Sequence, residues 1–135
     1  MITGRVTDRE ARVKLIVRGP RKRERTIPAV IDTGYTAFLA LPPPLIASLH
    51  LSWKSSGRGT LADGSACLFD VYSGKVVWDG KERSVLIDEV DTDPLVGMAL
   101  LIGYELKIEN RPGGRVTIKR IGRRPAHGTR RRQDR

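Results

Sequence analysis

The chain is short of the residues that build covalent or metal-held sites. Its one cysteine, Cys67, excludes an intrachain disulfide and a cysteine-based zinc cluster. His50 and His127 stand far apart without a companion ligand pattern, so neither a metal site nor a cofactor is expected. No apolar run approaches the length of a membrane-spanning helix. The opening MITGRVTDREARVK lacks the uninterrupted apolar stretch of a signal peptide. Together these absences predict a soluble, cytoplasmic protein with no membrane association.

With 135 residues, the chain can bury one real core and is too short for two ordinary domains. Its net charge of +10 is unevenly spread. Lys119 to Arg135 holds eight Lys or Arg against the single acid Asp134, so +7 of the excess sits at the C-terminal end. Residues 120–135 have almost no apolar content and carry Gly and Pro breakers; they read as a basic, disordered tail behind a folded domain at 1–119. A second basic cluster, RGPRKRER at 18–25, falls where a hairpin turn is expected. Neither cluster interleaves aromatic residues for base stacking. Nucleic-acid binding through phosphate charge, by way of the tail, remains one functional class to carry forward.

The body of the chain reads as short strands. From Glu10 to Arg18, Val13, Leu15 and Val17 alternate with Arg12, Lys14 and other polar positions, the period of a half-buried strand. Thr26 to Ile31 resumes an extended, β-branched run. LPPPLIASLHL at 41–51 opens on prolines and continues with Leu45, Ile46 and Leu49, which suits a short helix. Three hairpins follow from turn chemistry. The first spans 57–72 around Ala62-Asp63-Gly64-Ser65, and the second spans 76–87 around Asp79-Gly80. The third joins Leu106 and Ile108 to Val116 and Ile118 around Pro112-Gly113-Gly114. About seven strands and one or two short helices predict an all-β domain, a closed barrel or sandwich.

Asp32-Thr33-Gly34 is the candidate for chemistry. The triplet alone is a weak signal, since a triplet of these common residues is expected by chance in roughly a few per cent of chains this size. Its context strengthens it. Val30 and Ile31 precede it, Thr36 to Leu39 form a small and apolar run after it, and Leu95-Val96-Gly97 repeats an apolar pair into glycine far downstream, before the helix-like MALLIGYEL. A carboxylate at the end of an apolar run is costly to bury unless something pairs with it.

This ordered set resembles the retropepsin-like aspartic proteases, specifically the single-domain bacterial relatives of the viral enzymes, over residues 10–119. The resemblance implies a closed retropepsin-like β-barrel or sandwich. It implies that Asp32 is the catalytic carboxylate and that Thr33 and Gly34 support the active-site loop, Thr33 through hydrogen bonds across a dimer axis. Ala62, Asp63, Gly64 and Ser65 would form the tip of a substrate-covering flap. Leu95-Val96-Gly97 would thread beside the catalytic loop. Two positions depart from the viral pattern: Tyr35, where Ala is usual, and Met98, where the viral enzymes carry an Arg that braces their dimer.

Peptide hydrolysis by this route needs one carboxylate to activate a water and a second, protonated, to donate to the scissile carbonyl. Carboxylates about 3 Å apart cannot both ionise and so share a proton. One Asp-Thr-Gly and no second copy therefore imply a symmetric homodimer acting on a peptide or protein substrate. A non-catalytic module of the same fold, gripping an extended peptide as an added strand, is the alternative from another class.

Asp63 is also explained as a turn former. Asp91 and Asp93, in the run Asp88 to Asp93, read as part of a solvated connection. Cys67 reads as a small packed side chain, and Trp53 and Trp78 as core or groove aromatics.

Overall fold

The computed structural model describes residues 1–122. The tail expected from residue 120 lies, from 123 onward, outside the described residues, as does His127. β1 (Ile2–Thr7), β2 (Glu10–Arg18) and β3 (Glu24–Ile31) form an antiparallel meander. β4 (Leu39–Leu41) leads into α1 (Pro43–Leu49). β5 (Ser52–Thr60), β6 (Ala66–Trp78) and β7 (Lys81–Glu89) make a second meander. β8 (Leu95–Val96), β9 (Tyr104–Ile108) and β10 (Arg115–Arg120) complete the set. No helix among the described residues is long and apolar enough to cross a membrane.

The strands form one sheet in the order β5-β6-β7-β4-β8-β3-β2-β1-β10-β9, and β2 pairs a second time, with β6. That second pairing runs from Ile16 opposite Val77 to Arg18 opposite Lys75. It closes β2, β3, β8, β4, β7 and β6 into a ring. Outside the ring, β5 hangs on β6 as one arm of a hairpin, while β1, β10 and β9 extend from β2. Among the described residues the fold is all-β with one short helix, within the expected one or two.

Alternation puts the core inside this ring. Val13, Leu15 and Val17 of β2 are buried, as are Ile27, Ala29 and Ile31 of β3. They meet Leu39 and Leu41, Val76 and Trp78, Ile87 and Val96, with Val116 and Ile118 reaching in from β10. α1 plugs the ring with Ile46 and Leu49; it ends at His50, whose left-handed φ of 51° turns the chain and explains that histidine structurally.

All three expected hairpins form. Among the described residues, ten strands replace the expected seven or so. β4 is three apolar residues and β8 is two, both in parallel pairings (β4 with β7, β8 with β3). Such strands are covered on both sides and show no alternation. The helix-like stretch after Gly97 is corrected: 98–103 are consecutive turns, with Leu100 donating to the Gly97 carbonyl at 3.1 Å and Leu101 to that of Met98 at 3.1 Å. Gly103 then takes a φ of 87°, which ends any helical path and starts β9 at Tyr104.

Leu39 is fully buried, with Ile87 on one side of it in register and Val96 on the other. Leu39→Ala is expected to lower the unfolding free energy by about 3 kcal/mol in urea titrations. A loss under about 1 kcal/mol would mean that this layer is not where the core is held.

Candidate active site

β3 delivers an apolar face and then a carboxylate. Asp32 donates its N–H to the Val96 carbonyl at 2.9 Å, one step past the parallel register that sets Ile31 beside Val96. Its own carbonyl accepts from the Tyr35 N–H at 3.1 Å, closing a turn over 32–35. The Gly34 N–H donates to Asp32 Oδ1 at 2.9 Å. The carboxylate is thus fixed over the backbone of its own turn, the local device that makes Asp favourable at such a position. Asp32 is half-buried, while Thr33 and Gly34 are exposed. A Cβ at Gly34 would stand 3.3 Å from Asp32 Oδ1, a tight approach that glycine relieves.

The segment after the turn is stapled to the second apolar-glycine element. Gly97 donates to the Phe38 carbonyl at 3.0 Å, Met98 to that of Tyr35 at 2.8 Å, and Ala99 to that of Ala37 at 3.2 Å. A side chain at Gly97 would overlap the Ala37 carbonyl oxygen and the Tyr35 ring. Leu95-Val96-Gly97 therefore runs beside the Asp32 turn and requires glycine at its end. Met98 is partly exposed.

Tyr35 has a specific role. Its hydroxyl donates to Asp88 Oδ2 at 2.6 Å, tying the turn to β7 across the ring. Burial, and then the Asp88 carboxylate, push the phenol well above its ordinary pKa, so it stays a neutral donor. Asp88 is a contact that sequence reasoning missed. It sits 53 positions away in a run read as solvent-facing, and no local signal marks its partner. The run divides in the fold: Asp88 and Glu89 belong to β7, and only the residues beyond it form the connection before Pro94.

Beside the turn lies an open cleft of about 510 Å³, lined by Asp32 and Thr33 together with Arg9, Glu10, Ile108 and Asn110 among others. None of residues 62–65 lines it. Those four residues sit instead at the tip of the hairpin between β5 and β6. Ser65 donates through both its N–H (2.9 Å) and its hydroxyl (2.6 Å) to Asp63 Oδ1. The hydroxyl bond, then the backbone one, holds the Asp63 carboxyl below its usual range. Gly64 takes a φ of 87°. Asp63 is thus the turn former expected.

The hairpin behind it is an open ribbon with little packing. Leu61 and Leu68 are exposed, and Phe69 lies over Gly57, which has no side chain to obstruct it. Trp78 is buried in the core, but Trp53 is largely exposed, opposite Tyr72 in register, with its indole N–H donating to Asp70 Oδ1 at 3.0 Å. Cys67 is half-buried on this ribbon rather than packed in the core. Among the described residues no cluster of His, Cys, Asp and Glu could hold a metal ion.

Tyr35→Phe removes the donor from Asp88 and is expected to cost about 1–2 kcal/mol in urea unfolding at neutral pH. Because the folded phenol keeps its proton, this contribution is complete below pH 10.0, the ordinary tyrosine value. It declines as pH rises further, where the unfolded state sheds a proton that the folded state retains. The Phe variant should show a shallower alkaline loss; identical slopes would dismiss the clamp.

No family model matches the chain, and no curated protein matches it either. Among solved structures, the fold is similar to EIAV protease complexed with the inhibitor HBY-793, with a TM-score of 0.51 and 12% sequence identity. The match covers 70% of this chain and 88% of that one. At that identity the likeness speaks for fold alone, a retropepsin-like architecture.

Proposed function

We propose that the protein is an aspartic endopeptidase that acts as a homodimer, with Asp32 of each chain forming the catalytic pair. The observation that carries this reading is the Asp32 turn. A carboxylate stands at the exposed end of a buried parallel strand pair, oriented by the Gly34 N–H and beside an open cleft. The retropepsin-like fold supports it, as does the protease named in the similar structure.

Each chain brings one such carboxylate, so the chemistry requires two chains meeting at these turns. One Asp32 would take the proton of a water attacking the scissile carbonyl; its mate, protonated, would donate to the carbonyl oxygen. Thr33, exposed at the turn, would hold the two loops together, and Gly34 would let the backbones approach. The hairpin tip at Ala62, Asp63, Gly64 and Ser65 would close over an extended peptide, whose backbone could add to the free edge of β5. No cofactor is needed.

Wild-type protein incubated with an unfolded polypeptide from acidic to neutral pH is expected to cut it. Pepstatin should block the reaction, and Asp32→Asn should slow it at least about 100-fold. Sedimentation should show a dimer under the conditions of activity. Cleavage that survives Asp32→Asn, or its absence at every pH, would refute the assignment.

A further inference from the structure

Pairing of β1 with β10 on one side and with β2 on the other concentrates positive charge on one face of the sheet. Arg5 of β1 lies directly opposite Arg115 of β10 on one side and opposite Arg12 of β2 on the other. Residues opposite each other in an antiparallel ladder share a face, so three guanidinium groups form one row across three strands. Lys14 stands two residues along from Arg12 on that same face. The core-facing residues of these strands, Val6, Val13 and Val116, point the other way and are buried.

Like charges placed opposite one another in a sheet destabilise it. Arg12 is partly relieved by Glu10 at 2.6 Å, yet its Nε–H is buried with no acceptor among the described residues. Arg5, Lys14 and Arg115 make no ion pair among the described residues. Two further acids share the face: Glu109 stands opposite Arg115, its Oε1 accepting from the Arg115 N–H at 3.1 Å, and Glu105 lies at the far side, opposite Lys119. Between the cations is a depression of about 600 Å³, floored by Thr3, Gly4 and Pro28. Gly4 lets β1 pass close to β2, since a Cβ there would overlap the Arg12 carbonyl and crowd the Val13 side chain.

We propose that this face binds a nucleic-acid duplex through its phosphate backbone. Guanidinium groups pair bidentately with phosphate oxygens, and threonine hydroxyls add hydrogen bonds to the same groups. No aromatic side chain lines the depression, so it offers nothing on which unstacked bases could stack. Recognition is therefore of charge and shape, without sequence preference. An acidic polypeptide is the competing partner; the closely spaced row of arginines favours the denser charge of a duplex. The site does not include Asp32, and Glu10, the ion-pair partner of Arg12, lines the cleft next to it.

The test uses the full chain, with Arg5, Lys14 and Arg115 replaced together by Gln. These are surface strand positions, and the variant should keep the wild-type circular dichroism and melt no lower, because repulsion is removed. Wild type should bind a short DNA duplex with affinity that falls about 100-fold when salt rises fourfold, as four phosphate contacts require. The triple variant should flatten the slope of log affinity against log salt by about three. Duplex binding should exceed binding to oligo-dT and to poly-glutamate. An unchanged slope in the variant, absence of duplex binding at low salt, or tighter binding of either competitor overturns the proposal.

Discussion

Everything around the Asp32 turn depends on one short parallel pairing, β3 with β8. Two residues of β8 lie beside Val30 and Ile31, and the hydrogen bond from Asp32 to Val96 extends the ladder by one step. Without it, the carboxylate would sit on a free strand end. With it, the turn inherits the rigidity of a buried sheet, and the three bonds from residues 97–99 back to 35–38 lock the loop that follows. The carboxylate is thereby placed by backbone geometry on both sides.

The same junction explains residues that a motif alone leaves unexplained. Gly97 is needed because the Tyr35 ring and the Ala37 carbonyl occupy the space of a side chain. Tyr35, in turn, is large because it must reach β7, where Asp88 accepts its hydroxyl. The bulky residue after Asp-Thr-Gly is therefore part of the support of the turn, supplied from the opposite side of the ring. Rigid body and open ribbon then divide the labour: the closed ring carries Asp32, while the hairpin between β5 and β6 projects with both faces largely accessible.

Much of this was legible in the chain. The alternation of Val13, Leu15 and Val17 marked β2, and Asp63-Gly64 and Asp79-Gly80 marked two hairpin turns. The apolar approach to Asp32 marked the candidate site. The misses have a common cause. β4 and β8 are two or three apolar residues each, too short and too evenly buried to carry a period. MALLIGYEL has apolar spacing that suits a helix, but Gly103 and the hydrogen bonds at 97–101 break it into turns. Trp53 was expected in the core or in a groove on the strength of its type, yet it lies largely exposed on the β5–β6 ribbon.

The sequence by itself determined the strand periods, the turn positions and the chemical identity of the acid at the end of β3, because each depends on residues within a few positions of one another. Only the tertiary structure decided which strands meet. The closure of β2 onto β6, the partnership of Tyr35 with Asp88, and the row of Arg115, Arg5 and Arg12 all join residues brought together by folding. Such pairings leave no local trace, since their energy comes from burying surfaces and satisfying backbone groups across the whole ring.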